Sequence, residues 1–145
     1  MQNQPLPLFP VPEIGDEYEA EREIVLHQGD TLEFLKTVPD GIAKLIVTSP
    51  PYNIGKDYEI RVGLRDYLAQ QSAVIQELVR VLHDEGSICW QVGNYIQDGE
   101  VYPLDIYYYD IFKDAGLKLR NRIIWHFGHG LHASKRFSGR YETVL

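Results

Sequence analysis

Cysteine is almost missing: Cys89 is the only one in 145 residues, so no internal disulfide can form and no cysteine-rich metal site can be built. Its place in the apolar run Ile88-Cys89-Trp90 makes a buried, inert thiol the plain reading. Long hydrophobic runs are lacking too, and none approaches the roughly 18 residues of a membrane span. The amino terminus has neither the basic start nor the apolar stretch of a secretory signal. A soluble, cytoplasmic protein with no membrane partner is therefore expected. The composition shows no bias toward disorder or fibres: with 44% hydrophobic residues the chain can bury one real core. No internal repeat is present.

Positive charge is in deficit, 14 Lys and Arg against 21 Asp and Glu for a net charge of -7, which taken alone argues against a polyanionic partner. The distribution reverses that reading. Glu13, Asp16, Glu17, Glu19, Glu21 and Glu23, set against the single base Arg22, carry -5 of that charge. From Leu117 to Arg140 there is no acid, while Lys118, Arg120, Arg122, Lys135, Arg136 and Arg140 are basic. Such clustering is what an electrostatic footprint on nucleic acid requires, and a solvated basic face is the plainer alternative.

Residues 1–22 combine Pro5, Pro7, Pro10 and Pro12 with the acidic cluster, a composition that buries little surface and predicts a mobile lead-in to a folded part at 23–145. Ile24-Val25-Leu26 is a short apolar run that ends at Gly29-Asp30, and Thr31 to Val38 reads as a short helix. Lys44-Leu45-Ile46-Val47-Thr48 suits a strand buried on both faces, stopped by Pro50 and Pro51. Leu68, Ile75, Leu78 and Leu82 recur at helical spacing and predict a helix over Asp66 to His83, closed by Gly86. Ser87 to Val92 is a second strand candidate. Leu104, Tyr108, Ile111 and Ala115 mark another helix, ended by Gly116, and Leu117 to Phe127 is a third strand candidate. Glu142-Thr143-Val144-Leu145 reads as the start of a further strand. This alternation predicts an α/β fold with a mostly parallel sheet and helices on both faces. Ligands of such sheets bind beyond the carboxyl ends of the strands, where Ser49-Pro50-Pro51-Tyr52 falls.

That loop is chemically unusual. Two successive prolines remove two backbone donors and fix two φ angles while leaving the carbonyls free. Ser49 adds a hydroxyl acceptor, Pro50 a carbonyl, and Tyr52 an aromatic face. A planar base with an exocyclic amino group matches that array. A strand-terminating turn with a packed tyrosine is the plainer meaning of a bare Pro-Pro-Tyr.

The longer stretch Leu45-Ile46-Val47-Thr48-Ser49-Pro50-Pro51-Tyr52-Asn53-Ile54-Gly55 resembles the catalytic motif of the N6-adenine and N4-cytosine DNA methyltransferases. Gly29-Asp30-Thr31-Leu32-Glu33 and the Arg120 to Trp125 and Arg136 to Arg140 segments match further parts of that family, so the likeness runs from about Ile24 to Leu145. A catalytic motif near the amino terminus is similar to the family's permuted members. The resemblance implies a partial Rossmann-like methyltransferase sheet and methyl transfer from S-adenosylmethionine to the amino group of adenine or cytosine, on a base flipped out of double-stranded DNA. It implies catalytic roles for Ser49, Pro50, Pro51 and Tyr52, and cofactor contacts for Asp30 and Thr48. Asp30 read without the family is a helix cap. Lys56, Arg120, Arg122, Lys135, Arg136 and Arg140 are the candidate DNA contacts, while Arg61 and Arg65 share the loop region after the motif.

His126, His129 and His132 are spaced by three, as metal ligands on a helix would be. Gly128 and Gly130 disfavour a helix there and no acid is adjacent, so no metal is expected. An RNA substrate is disfavoured because no single-strand recognition module is present. The glycine-containing cofactor loop of the permuted family, of the Phe-x-Gly-x-Gly type, does not follow Tyr52. The expectation is therefore an amino-terminal fragment whose cofactor-binding half is supplied elsewhere, by a second polypeptide in a split enzyme, or a truncated remnant that binds DNA without chemistry.

Overall fold

The computed structural model describes residues 14–57, 60–128, 137 and 139–145. Lys135 and Arg136, the proline-rich part of the lead-in and two of the three spaced histidines lie outside the described residues. Two units divide after Pro39.

In the first unit, β1 (Ile14–Gly15) pairs in parallel with β2 (Ile24–Val25). Part of the segment expected to be only a lead-in thus forms a strand: Leu26 N–H donates to the Gly15 carbonyl at 2.7 Å, which gives the short apolar pieces on either side of the acidic run a common ladder. Helix α1 (Thr31–Thr37) follows, capped by Asp30, whose Oδ1 accepts from the backbone N–H of Leu32 and Glu33 at 2.9 and 3.1 Å. An Asp in that place satisfies two of the donors that every helix start leaves unpaired.

The second unit is built on a four-stranded sheet. Strand β3 (Ala43–Thr48) leads through the Ser49 loop to helix α2 (Leu64–Val81), which passes directly into β4 (Leu82–Val92). A hairpin of β5 (Asn94–Gln97) and β6 (Glu100–Pro103) precedes helix α3 (Leu104–Asp114), and β7 (Ile123–His126) and β8 (Tyr141–Val144) complete the unit. The sheet order is β3-β4-β8-β7. Strands β3 and β4 are parallel, with Thr48 opposite Trp90, whereas β8 pairs antiparallel with both β4 and β7. The α/β class stands, but only one of the sheet's three strand pairs is parallel: the chain reverses after β7 and inserts β8 between β4 and β7.

Side chains of a strand alternate between faces. Trp90 and Val92 of β4 are buried, and the Trp90 ring meets Tyr108 and Phe112 of α3 at centroid distances of 5.2 and 5.5 Å. Helix α2 buries Tyr67, Ile75, Leu78 and Val81, the stripe its spacing predicts, and its Tyr67 hydroxyl lies 2.6 Å from that of Tyr108. The opposite face is open. Leu45 and Val47 are 61% and 71% exposed, so the β3 run is buried on one face and not on two, because no described element of this unit covers the other. Of the helices expected on both faces, the two described in this unit, α2 and α3, pack on the Trp90 face. The third predicted strand shortens to Ile123–His126, and Leu117, Lys118, Leu119, Arg120 and Asn121 instead line a cleft beside the amino-terminal part of β4.

Candidate active site

Chain reversal at the end of β3 places Ser49, Pro50, Pro51 and Tyr52 around a cleft of about 340 Å³, which Ile54, Gln91 and Glu142 complete. The cleft lies beyond the carboxyl end of the parallel β3–β4 pair, the ligand position of α/β sheets. The four residues singled out from the sequence are therefore together. Gln91 comes from β4 and Glu142 from β8, two residues that the sequence alone did not mark.

Three anchors hold the loop. The Tyr67 hydroxyl donates to the Pro51 carbonyl at 2.7 Å. Asn53, 2% exposed and at φ 59°, clamps the far side: its side-chain amide donates to the Val62 carbonyl at 2.7 Å and accepts from Val62 N–H at 2.8 Å. Asparagine is among the few residues that tolerate this left-handed backbone. Gly93 lets the tyrosine ring approach, since a Cβ there would stand 3.1 Å from two Tyr52 ring carbons.

Inside the cleft, polar groups form a connected chain. Ser49 Oγ and Tyr52 Oη are 2.9 Å apart, Tyr52 Oη donates to Glu142 Oε2 at 3.3 Å, and Gln91 Nε2 donates to the same carboxylate oxygen. A hydroxyl, a rigid proline carbonyl edge, an aromatic ring and a carboxylate thus share one wall. Such a site can accept hydrogen bonds from a polar planar group and stack on it.

The other candidates fall elsewhere. Thr48 is the last residue of β3, next to the cleft, whereas Asp30 belongs to the first unit, where it caps α1. Lys56 follows the loop and is exposed, and Arg140 is exposed just before β8. Arg120 is exposed in the cleft beside the start of β4, away from the Ser49 loop. Arg122 donates through Nε and Nη2 to the buried carboxylate of Asp105 in α3, so much of its charge is matched within the protein. Arg61 also turns inward, donating to the Ile96 carbonyl at 2.9 Å with its guanidinium over the Tyr95 ring. Among the described residues no group of acids, histidines and cysteine could hold a metal ion, and no helix is long and apolar enough to cross a membrane.

An α/β sheet with a Ser-Pro-Pro-Tyr cleft at its strand ends defines a class of methyltransferases. The DNA methylase family pattern matches residues 43–145, and the chain belongs to that N6/N4 DNA methyltransferase family. Among curated relatives, the Type II methyltransferase M.BglII of Bacillus subtilis is 49% identical over 121 residues, 83% of this chain and 34% of its own. M.ScaI of Streptomyces caespitosus is 31% identical over 135 residues, 91% of this chain and 43% of its own. The DNA adenine methyltransferase YhdJ of Escherichia coli is 32% identical over 131 residues, 86% of this chain and 40% of its own. The chain thus spans 34% to 43% of the length of these relatives. Among solved structures, TTHA0409 of Thermus thermophilus, complexed with S-adenosyl-L-methionine, superposes with a TM-score of 0.65 at 25% identity, covering 80% of this chain and 49% of its own. The cytosine-N4-specific PvuII DNA methyltransferase shares the fold at a TM-score of 0.66 and 20% identity, over 81% of this chain and 46% of its own.

Proposed function

We propose that the chain carries the base-accepting, catalytic part of a DNA methyltransferase that uses S-adenosyl-L-methionine to methylate the exocyclic amino group of adenine (N6) or cytosine (N4) in duplex DNA. The observation that carries this reading is the cleft formed by Ser49, Pro50, Pro51 and Tyr52 beyond β3. The amino nitrogen of a base is a poor nucleophile because its lone pair is delocalised into the ring. Acceptors on both N–H groups draw the hydrogens out of the ring plane and stabilise the positive charge that grows on nitrogen. Ser49 Oγ and the Pro50 carbonyl take that role, Tyr52 stacks on the extruded base, and Pro51, held by Tyr67, keeps the array rigid. A serine hydroxyl is a weak base, so positioning and electrostatics dominate over proton abstraction at Ser49 itself.

S-adenosyl-L-methionine supplies an electrophilic methyl group when bound. The residues present fit the accepting side of that chemistry and not the body of the cofactor: the cleft is lined by the loop, Gln91 and Glu142, with no glycine-rich loop in it. Thr48 borders the cleft and Asp30 offers a carboxylate, but Asp30 spends Oδ1 on capping α1. Lys56 and Arg140, with Lys135 and Arg136, supply phosphate contacts that hold the duplex in register, while Arg120 lies beside the start of β4, away from the Ser49 loop, and Arg122 is committed to Asp105.

The matched segment is 34% of the length of M.BglII, so this reading calls for further segments, in the same chain or in a second polypeptide, and the exposed face at Leu45 and Val47 is a surface for them to cover. The test is transfer of labelled methyl from S-adenosyl-L-methionine to duplex DNA, by the chain alone and completed by the polypeptide that supplies the remaining segments. Turnover is expected, and Ser49→Ala is expected to lower kcat by about 10²-fold, the scale at which one aligned hydrogen-bonding group acts on a developing charge. DNA affinity without turnover in any combination would leave only a non-catalytic DNA-binding remnant.

A further inference from the structure

Glu142 stands 90 residues from Tyr52 in sequence and yet reaches its hydroxyl. Four groups in contact are ordered by their proton inventories. An ionised carboxylate only accepts, and a phenol has a single proton to give. Tyr52 gives that proton to Glu142 Oε2 at 3.3 Å, so the 2.9 Å contact between Ser49 and Tyr52 must be filled by the serine proton. The Ser49 hydroxyl is then spent as a donor, and its lone pairs are left for the cleft. Gln91, donating to the same Glu142 oxygen, keeps that oxygen an acceptor and fixes its place. With no carboxylate at 142, Tyr52 could donate to Ser49, and Ser49 could turn its proton toward the cleft, where an amino group offers only protons.

We infer that Glu142 is the positioning residue that sets the polarity of this site: it holds Ser49 as a hydrogen-bond acceptor through Tyr52 and takes up the proton released from the methylated amino group. This rests on the transferase reading given above. The balance closes on groups in the cleft. When the amino nitrogen gains its methyl group it carries a positive charge. One N–H bond breaks as its proton passes to Ser49 Oγ, the serine proton passes to Tyr52 Oη, and the phenolic proton passes to Glu142 Oε2. Both hydroxyls end neutral with their hydrogen bonds reversed, the amine ends neutral, and the carboxylate ends as a carboxylic acid; when it returns its proton to solvent, the two hydroxyls turn back and Ser49 is an acceptor again. Glu142 is half-buried at the cleft wall, which gives that proton a way out. A weakly basic serine can serve such a site because it is a conduit and not the final base.

The experiment is a kinetic cycle on duplex DNA with Glu142→Gln, Tyr52→Phe and the double variant, in the wild-type preparation that gives turnover. Glu142→Gln keeps the size of the side chain and removes the charge. It is expected to lower kcat by about 10²-fold, the scale of a lost proton acceptor, with KM for DNA little changed and the melting temperature close to wild type. Because Glu142 acts through the Tyr52 hydroxyl, adding Glu142→Gln to Tyr52→Phe is expected to cost little more than Tyr52→Phe alone. Wild-type kcat in Glu142→Gln, or independent losses that multiply in the double variant, would overturn the inference. If Glu142→Gln does not fold, Tyr52→Phe carries the test, since it cuts the same link without touching the carboxylate, and an unchanged kcat there has the same adverse meaning. No turnover by wild-type protein in any combination would instead overturn the transferase reading itself.

Discussion

Tyr67 and Tyr108 show how single residues anchor the Ser49 loop. The Tyr67 proton goes to the Pro51 carbonyl at 2.7 Å, so the 2.6 Å contact with Tyr108 is made by the Tyr108 proton. Tyr67→Phe would free the Pro51 carbonyl and orphan the buried Tyr108 hydroxyl, a loss of about 1–3 kcal/mol. It should appear as a lower midpoint in urea together with reduced kcat. Burial, helped by the neighbouring Tyr67, pushes the Tyr108 phenol well above the ordinary tyrosine value of 10.0. A raised folded value stabilises the protein fully below the unfolded value and ceases to do so as pH climbs through it. Stability should therefore fall above about pH 10 by as much as about 1.4 kcal/mol per pH unit from this residue. Tyr108→Phe should flatten that alkaline limb in denaturant titrations, and an unchanged limb would show that other groups cause it. Ser49 and Tyr52 were legible at this scale because their chemistry is local. Asn53 and Tyr67 were not, since a left-handed clamp and a helix residue reaching back to a loop carbonyl leave no local pattern.

At the scale of elements, the start of β4 is the most constrained passage. A Cβ on Gly86 would stand 2.7 Å from the Ala43 carbonyl oxygen and 2.9 Å from that of His83, both backbone atoms that cannot step aside. Gly86 thus allows β3 and β4 to approach where their register shifts between Ala43 and Leu45. Gly86→Ala is expected to destabilise by about 1–3 kcal/mol, the usual cost of overpacking, as read by the midpoint of chemical unfolding. A neutral substitution would mean that the strands can separate there at no cost. Helices α2 and α3 were legible because apolar residues at spacings of three and four leave a stripe that only a helix buries on one side. Their neighbours were less so. Strand β4 begins directly at Leu82, within the segment that reads as the last turn of the helix, and the β5–β6 hairpin went unread although its turn was marked. Asp98 and Gly99 both take positive φ, 51° and 84°, as the tightest hairpin turns require, and an Asp-Gly pair between Tyr95-Ile96 and Val101-Tyr102 is the local signal for one.

Among the described residues, one face of the four-stranded sheet is without cover. Leu45, Val47, Ile123 and Trp125 are all more than half exposed, and by alternation they share the face opposite Trp90. They sit on the sheet's two edge strands, with Gln91 and Glu142 of the inner strands between them, and exposed apolar side chains grouped in this way mark an interaction site. The isolated chain should bind a hydrophobic dye strongly, Val47→Lys should weaken that binding without lowering the unfolding midpoint, and dye binding should fall when the completing polypeptide is added. Dye binding that persists after completion would mean that the face is not where the remainder docks. Topology also explains why two of the seven residues lining the cleft escaped the sequence. Glu142 and Gln91 belong to β8 and β4, and they meet only because the chain reverses and slots β8 beside β4, a pairing that no residue near either one announces. The central claim is that the Ser49 loop is where a base amino group receives a methyl group. It is tested most directly by single-turnover methylation of duplex DNA by the completed enzyme, wild type against Ser49→Ala. Transfer to an adenine or cytosine amino nitrogen that falls about 10²-fold in the variant, with the DNA still bound, is the predicted result. Equal transfer by the two proteins would contradict it.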